Sequence, residues 1–482
     1  MSYTIPKTVN PNKIFLTPKS ETIRRWDPLY FIPSVVALEN KIRSVTPHRL
    51  RDFVLHMAGG ATPSTTQADI HYTENSDGVP FIRVQNLSTT GKLDLEDCKR
   101  ITRNTHNGLL ARSRLTGGEL LVKITGVGRM AVSSVVPEDF EGNINQHIVA
   151  IRTTNIETSE TLAAYLNLDI AERLASRRAT GGTRPALDYP ALLSIPVIFN
   201  ERIRKLFGAA VKQYEEKCNK ALALLNNIDG ILLTELGIVL NPEPANMIAN
   251  RIFFRSLSEV TGNRLDPAYF DARFSRLLAA IQKSDHELIP LGKACSFLSN
   301  GKTPAKEEYS DKPTLYPIIK VASYSGDTID LEKTDFAILP QPYIVHKSDI
   351  FVLSAAHQPS YVGRFVKQLD EEPDQPTSFV GELICLRPNP SILIPYYLFA
   401  LLSSSVFQSL LNREKRGQTS HIYPYDIRQI MIPRPKFEVQ QRIAEGVRQI
   451  RSKAKDLRQQ GEAELYEAKR SIENIILGQG DN

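Results

Sequence analysis

Cysteine is scarce in this sequence, and long apolar runs are missing. The 482 residues hold four cysteines, Cys98, Cys218, Cys295 and Cys385. None sits in a Cys-x-x-Cys pair, which excludes a zinc knuckle or dithiol motif, and scattered single thiols suit a reducing compartment. The most apolar stretches, such as 394–402 (IPYYLFALL), are far shorter than a membrane span. The opening MSYTIPKTVNPNK has no apolar core of a signal peptide. A cytoplasmic chain without a membrane partner is expected. Strong charge is also absent: the net value of +6 permits a polyanionic partner without demanding one.

Catalytic motifs are missing as well. Asn241-Pro242-Glu243-Pro244 is not the Asn/Asp-Pro-Pro-Tyr/Phe loop of a DNA methyltransferase, because its second proline comes one residue late. Thr125-Gly126-Val127-Gly128 reads as a turn rather than a cofactor loop. Gly301-Lys302-Thr303 would need a glycine at 296 to form a phosphate-binding loop, and Ser296 stands there. No cluster of His, Cys and carboxylates has metal-ligand spacing, and His357 and His421 are isolated. A non-catalytic chain without metal or cofactor is expected.

What the sequence does contain is an internal duplication. Residues 25–31 (RWDPLYF) recur about 240 residues later as 264–270 (RLDPAYF). Gly59-Gly60-Ala61-Thr62-Pro63 has a counterpart in Asn300-Gly301-Lys302-Thr303-Pro304. Residues 79–102 parallel 315–339, and Arg178–Thr183 echoes Arg413–Thr419. The segments keep their order and nearly one spacing.

Each copy begins with a globular part that mixes short strands with helices. Gly- and Pro-bounded runs such as PFIRV and GELLVKIT read as strands, and 162–176 and 396–412 read as helical. Each copy ends in a long helix. Ile203, Phe207, Val211, Tyr214, Cys218, Leu222, Leu225, Leu232 and Leu236 recur at helical spacing, as do Ile443, Val447, Ile450, Ala454, Leu457, Leu465, Ala468, Ile472 and Ile475. Gly208 and Gly461 each weaken their helix by about 1 kcal/mol against alanine. The prolines of 241–250 are expected to stop the first helix. The predicted layout is an N-terminal arm at 1–20, a first domain at 21–199, a long helix at 200–240, a linker at 241–259, a second domain at 260–435 and a second long helix at 436–478.

The fold class expected is α+β: two similar mixed α/β domains, separated by long helices that pair as an antiparallel coiled coil with approximate twofold symmetry. Helices of 35–40 residues outrun one domain at about 1.5 Å per residue, so the economical partner for each is the other. Such a pair on a rigid spacer suits duplex DNA, because dimeric readers match their geometry to half-site spacing. The diverged halves predict a bipartite, asymmetric target with an unread gap. The alternative is a coiled-coil scaffold that does not touch DNA.

Residues 432–444 (IPRPKFEVQQRIA) resemble the junction between target-recognition domain and conserved helix in specificity (S) subunits of type I restriction–modification complexes, and Gly59–Pro63 resembles the Gly-Thr-Pro opening of those domains. The resemblance covers nearly the whole chain. It implies two target-recognition domains, two conserved helical regions, docking of two DNA adenine methyltransferase (M) subunits, and added restriction (R) subunits for cleavage. The first junction, Ile195–Ile203, lacks the second proline and the glutamine, so the start of its helix is less defined. Residues 1–20 have no counterpart in the second copy.

Phosphates and base edges call for cations, hydroxyls and polar forks on loops. DNA-contact candidates in the first domain are Thr62, Ser64, Thr65, Arg83, Gln85, Asn86, Lys123, Thr125, Arg177, Arg178, Thr183 and Arg184. In the second they are Lys302, Thr303, Lys306, Lys320, Ser323, Tyr324, Arg413, Lys415, Arg416, Gln418, Thr419 and His421. Any one of them also fits an ordinary solvated loop. Asn145-Gln146-His147 fits a base contact or a turn-stabilising role. Arg442, Arg448, Arg451, Lys453 and Lys455 on the second helix are either solvated or dock the methyltransferase.

Overall fold

The computed structural model describes residues 8–22, 25–242, 247, 252–260, 264–312, 315–356, 359–417 and 420–478. Contacts divide the chain into two compact units, Met1–Cys218 with Arg458–Asn482, and Asn219–Leu457. Each unit therefore combines one globular domain with a segment of both long helices.

The first unit is built on two small sheets. In one, strands run in the order His56–Gly59, Ile148–Arg152, Leu120–Lys123 and Ser133–Val135, all antiparallel. The runs LLVK and IVAI are buried along their length, as a strand covered on both faces requires. The other sheet orders Tyr72–Thr73, Lys99–Ile101, Val79–Ile82 and Asn143–Ile144, and its last pair is parallel. Helices Ile156–Leu166 and Asp169–Arg178 complete the core.

The second unit repeats this plan. Its larger sheet contains Cys295–Asn300, Leu383–Pro388, Ile350–Leu353 and Val366–Gln368 in the equivalent order, extended by Thr328–Ile329 and Tyr324–Ser325. Its smaller sheet orders Tyr309–Ser310, Asp335–Ala337, Tyr316–Ile319 and Ser378–Phe379, again with a parallel last pair. Helices Pro395–Leu402 and Ser405–Arg413 match the helix pair of the first unit. Gly60 and Gly301 hold equivalent positions at a close crossing of backbone. A Cβ on Gly60 would lie 2.2 Å from the carbonyl oxygens of Ile144 and Asn145, and one on Gly301 2.1 Å from that of Phe379, which explains the glycine in both Gly-x-Thr-Pro turns.

The long helices are Glu201–Glu235 and Phe437–Ile476. In the first unit, Ile203, Phe207 and Val211 share a core with Leu465, Ile472 and Ile476. Tyr214 meets Gly461, and Lys217 pairs with Glu464 at 2.8 Å. In the second unit, Ile228, Leu232 and Leu236 share a core with Ile443, Ala444 and Val447, and the Arg442 Nε donates to Glu235 at 2.9 Å. Partners rise along one helix as they fall along the other, so the segments pair antiparallel within each unit. On the second helix Gln440, Val447, Ala454 and Gly461 are buried at heptad spacing.

Details of the seam depart from the sequence pattern. Leu222 is 50% exposed and Ala221 is buried instead; likewise Ile476 is buried and Ile475 turns outward. The prolines do not stop the first helix. It ends at Glu235 through a left-handed Gly237, whose N–H donates to Thr234 O (3.1 Å) while Ile238 N–H donates to Leu233 O (2.9 Å). This glycine C-cap closes the helix before Pro242 is reached. At the first junction Asn200 supplies the missing start signal by accepting from Arg202 N–H at 2.8 Å. At the second, buried Gln440 accepts from Ile394 N–H and donates to Pro435 O, both at 2.8 Å. Three of the helix cations pack within the second unit: Arg442 as above, Arg448 over the Tyr396 ring, and Arg451 on Asp327.

A second tie links the repeats. In the first unit the helix Asp169–Arg178 has Leu168 at its N-cap, which offers no side-chain acceptor. Glu473, from the second repeat's long helix, accepts from Ile170 N–H at 2.9 Å instead. In the second unit, Asp229 of the first repeat's long helix accepts from Ser405 N–H at 3.1 Å. Each cap contributes on the order of 1 kcal/mol.

The two helix glycines separate in role. A Cβ on Gly208 meets nothing within 4 Å, whereas one on Gly461 lies 3.2 Å from the Tyr214 ring. Gly208→Ala is expected to stabilise the protein by about 1 kcal/mol in denaturant unfolding, and Gly461→Leu to lower the unfolding midpoint. Equal effects of the two would show that Gly461 is not at the helix contact.

Candidate nucleic-acid interface

In each unit the loops of interest leave strand ends of one sheet, the one holding Leu120–Lys123 in the first unit and Ile350–Leu353 in the second. In the first, strand Leu120–Lys123 runs into the turn Thr125–Gly128, and Thr125 bridges to Ala186. Thr180 also bridges to Ala186, so the segment 180–186 closes on itself, with Gly181 left-handed. Thr183 and Arg184 stand exposed at its tip. The Arg184 guanidinium donates to His147 Nε2 at 3.2 Å. Burial and the Arg184 charge both lower the His147 pKa, which keeps the ring neutral and able to accept. His147 opens strand Ile148–Arg152, and Asn145 beside it lies against Gly60. Thr62 and Ser64 follow, both exposed.

The second unit forms the same figure from different side chains. Ala355 and Arg416 both bridge to His421, and Gly417 is left-handed. The His421 and Tyr423 rings stack with centroids 6.3 Å apart. Arg416 is exposed and forms an ion pair with Asp426. Lys302 and Thr303 are exposed. The Lys302 ammonium donates to Gln341 O (3.0 Å), and the Thr303 hydroxyl donates to Glu382 (2.9 Å).

Several candidates serve the fold instead. Arg178 is 4% exposed and pairs with buried Glu39 at 2.7 Å, and Arg177 pairs with the same carboxylate. Lys123 is buried and donates to Val127 O at 2.7 Å. Asn86 is buried, accepting from Arg83 N–H (2.9 Å) and donating to Asp94 O (2.9 Å). Ser323 takes the corresponding place in the second copy, accepting from Lys320 N–H (3.2 Å), and is buried too. The Tyr324 hydroxyl is buried. These positions looked like loop polar groups because short-range sequence cannot distinguish a turn that packs inward from one that faces solvent.

Arg413 is likewise committed, and its role accounts for the repeated Arg-x-Asp-Pro-x-Tyr-Phe motif. Arg177 lies 4.1 Å over the Tyr30 ring and donates to Tyr30 O at 2.6 Å; Arg413 lies 3.7 Å over the Tyr269 ring and donates to Tyr269 O at 3.1 Å. In return Arg25, paired with Asp27, donates to Ala179 O at 3.0 Å, and Arg264, paired with Asp266, donates to Lys415 O. The two repeated motifs are thus one clamp at the end of a helix, ahead of the exposed loop. Arg83, Gln85 and Lys320 emerge from the smaller sheets. Gln85 is exposed, Arg83 is partly buried, and Lys320 pairs with Asp335. Lys306 is exposed, Thr125 is half-buried, and Lys415 donates to Asn412 at 3.2 Å. Gln418, Thr419, His357 and the Thr65 side chain lie outside the described residues.

The match to known families bears on the second unit. Residues 283–467 match the model of the type I restriction modification DNA specificity domain. The first unit repeats the two sheets and helix pair of the second in the same order, so the chain carries the specificity fold twice. No curated protein matches the chain in sequence. Among solved structures, one described as the structural basis of complex assembly and conformational transition of the type I R-M system is 18% identical, with a TM-score of 0.41. The HsdS subunit of Thermoanaerobacter tengcongensis is 18% identical (TM-score 0.32), and the type I S subunit of M. genitalium 12% (TM-score 0.35). Each comparison covers 90% of this chain and 96% of the other. No helix among the described residues is long and apolar enough to cross a membrane.

The acid in the clamp differs between copies. Burial alone would raise the Glu39 pKa, but Arg178, Arg177 and Arg43 bring it below the ordinary value. Glu414 is pushed up to about 7, chiefly by burial and further by Asp426, against Arg413, Arg264 and Arg416. Between an ordinary pKa near 4.5 and about 7 the folded state then holds a proton that the unfolded chain has released. Stability contributed by this group should fall as pH rises through that window, by about 3 kcal/mol at most. Glu414→Gln is expected to flatten that part of the pH–stability curve; an unchanged slope would remove Glu414 as its source.

Proposed function

We propose that this protein is a type I S subunit that reads a bipartite, asymmetric duplex DNA target in the cytoplasm, one half-site per domain. It holds two adenine methyltransferase (M) subunits, with restriction (R) subunits added for cleavage. The long helices set the unread gap, and the methyltransferases act on an adenine flipped from the stack. The observation carrying this reading is the repeated loop edge. Two sheets of like topology present loops at equivalent strand ends, with different side chains: Thr183, Arg184 and His147 in one, Arg416, His421 and Lys302 in the other. Equivalent placement suits two equivalent grooves, and unlike side chains suit unlike bases.

DNA binding is tested by titrating the full chain with duplex at several salt concentrations. Wild-type affinity should fall steeply with salt through counterion release. Arg184→Ala and Arg416→Ala are each expected to weaken binding and to reduce the salt slope by about 1 if they meet phosphate. A salt-independent isotherm would favour the scaffold alternative. Modular reading is tested by replacing residues 21–199 with the matching domain of a relative and mapping methylated sites. One half of the target should change, and a change in both halves would refute the assignment.

A further inference from the structure

Val127 has no part in the fold's core, yet it is held firmly. Its side chain is 78% exposed at the tip of the turn that follows strand Leu120–Lys123. Gly126 and Gly128, on either side, are both left-handed, at φ 119° and 81°, a conformation that costs glycine little and other residues more. Three ties fix the turn. Gly126 N–H donates to Pro185 O at 3.0 Å, Thr125 bridges to Ala186, and the buried Lys123 ammonium donates to Val127 O at 2.7 Å. The turn thereby sits against the loop that carries Thr183 and Arg184. A branched apolar side chain, displayed to solvent on a braced turn among cations and hydroxyls, gains nothing for stability. Held in place there, it is available to an apolar group in a surface that this loop faces. In a DNA groove the apolar feature that distinguishes one base pair from the others is the thymine C5-methyl in the major groove.

We propose that Val127 is a specificity-determining residue that reads the C5-methyl of one thymine in the half-site of the first domain. This rests on the DNA-reading function proposed above. The side chain fixes an A·T pair by methyl contact, while Arg184 and Thr183 supply polar contacts beside it.

The experiment uses the full chain, with its methyltransferase, and the target selected from random duplexes by the wild type. Each thymine of the first half-site is replaced in turn by uracil, which lacks only the methyl. One replacement is expected to weaken wild-type binding roughly fourfold, the value of burying one methyl-sized group. Val127→Ser should bind the thymine and uracil duplexes equally and keep the wild-type unfolding midpoint. The inference is overturned if no single uracil matters, if the sensitivity survives in Val127→Ser, or if the first half-site contains no A·T pair. Failure of the wild type to select any sequence is a different result, and it would overturn the DNA-reading function together with this inference.

Discussion

Each domain is completed by a helix that belongs to the other repeat. The helix Asp169–Arg178 begins on Glu473, and the helix Ser405–Arg413 begins on Asp229. The apolar seam reinforces this exchange: Phe207 and Val211 share a core with Leu465 and Ile472 in one unit, and Leu232 and Leu236 with Ile443 and Val447 in the other. The helix Asp169–Arg178 has no side-chain cap of its own, so Glu473 supplies an acceptor that its own domain lacks; in the second unit Asp229 adds to the cap that Ser404 already provides. The antiparallel pairing is therefore more than a connection between domains. It supplies part of each domain's structure, and it fixes which end of each helix meets which domain.

The clamp at the end of the helices Asp169–Arg178 and Ser405–Arg413 carries the arrangement on to the exposed loops. A guanidinium stacked on a tyrosine, and a second one covering free carbonyls, hold the chain where it leaves the helix. In the first unit, the segment 180–186 after the clamp displays Thr183 and Arg184, while the basic residues before it, Arg177 and Arg178, are committed inward. Basic loops in this protein thus contain two populations of cations, one that builds the loop and one that the loop presents.

Much of the architecture was legible in the sequence because duplication is a signal independent of propensity. Two copies of RxDPxYF and two Gly-x-Thr-Pro turns imply two copies of one fold before any strand is assigned. The seam was legible as a heptad stripe, although Leu222 and Ala221 exchanged places, since helical periodicity tolerates an error of one residue and packing does not. The end of the first helix was misread because prolines are conspicuous, while Gly237 acts through a backbone conformation. The candidate interface was legible only as a region. Arg177, Arg178, Asn86 and Lys123 read as loop polar groups, and nothing within a few residues of them reveals Glu39 or the inward turn that absorbs them. Val127 is illegible for the opposite reason, because a valine between glycines reads as part of a turn and its exposure shows only in the structure.

The proposed reading of a bipartite target requires the paired helices to act as the spacer between the two domains. The direct measurement is genome-wide methylation mapping with a variant that gains one helical turn in each long helix, inserted after Cys218 and after Leu457, co-expressed with its methyltransferase. A longer gap between two unchanged half-sites is the expected result. Altered bases within either half-site, at an unchanged gap, would contradict it.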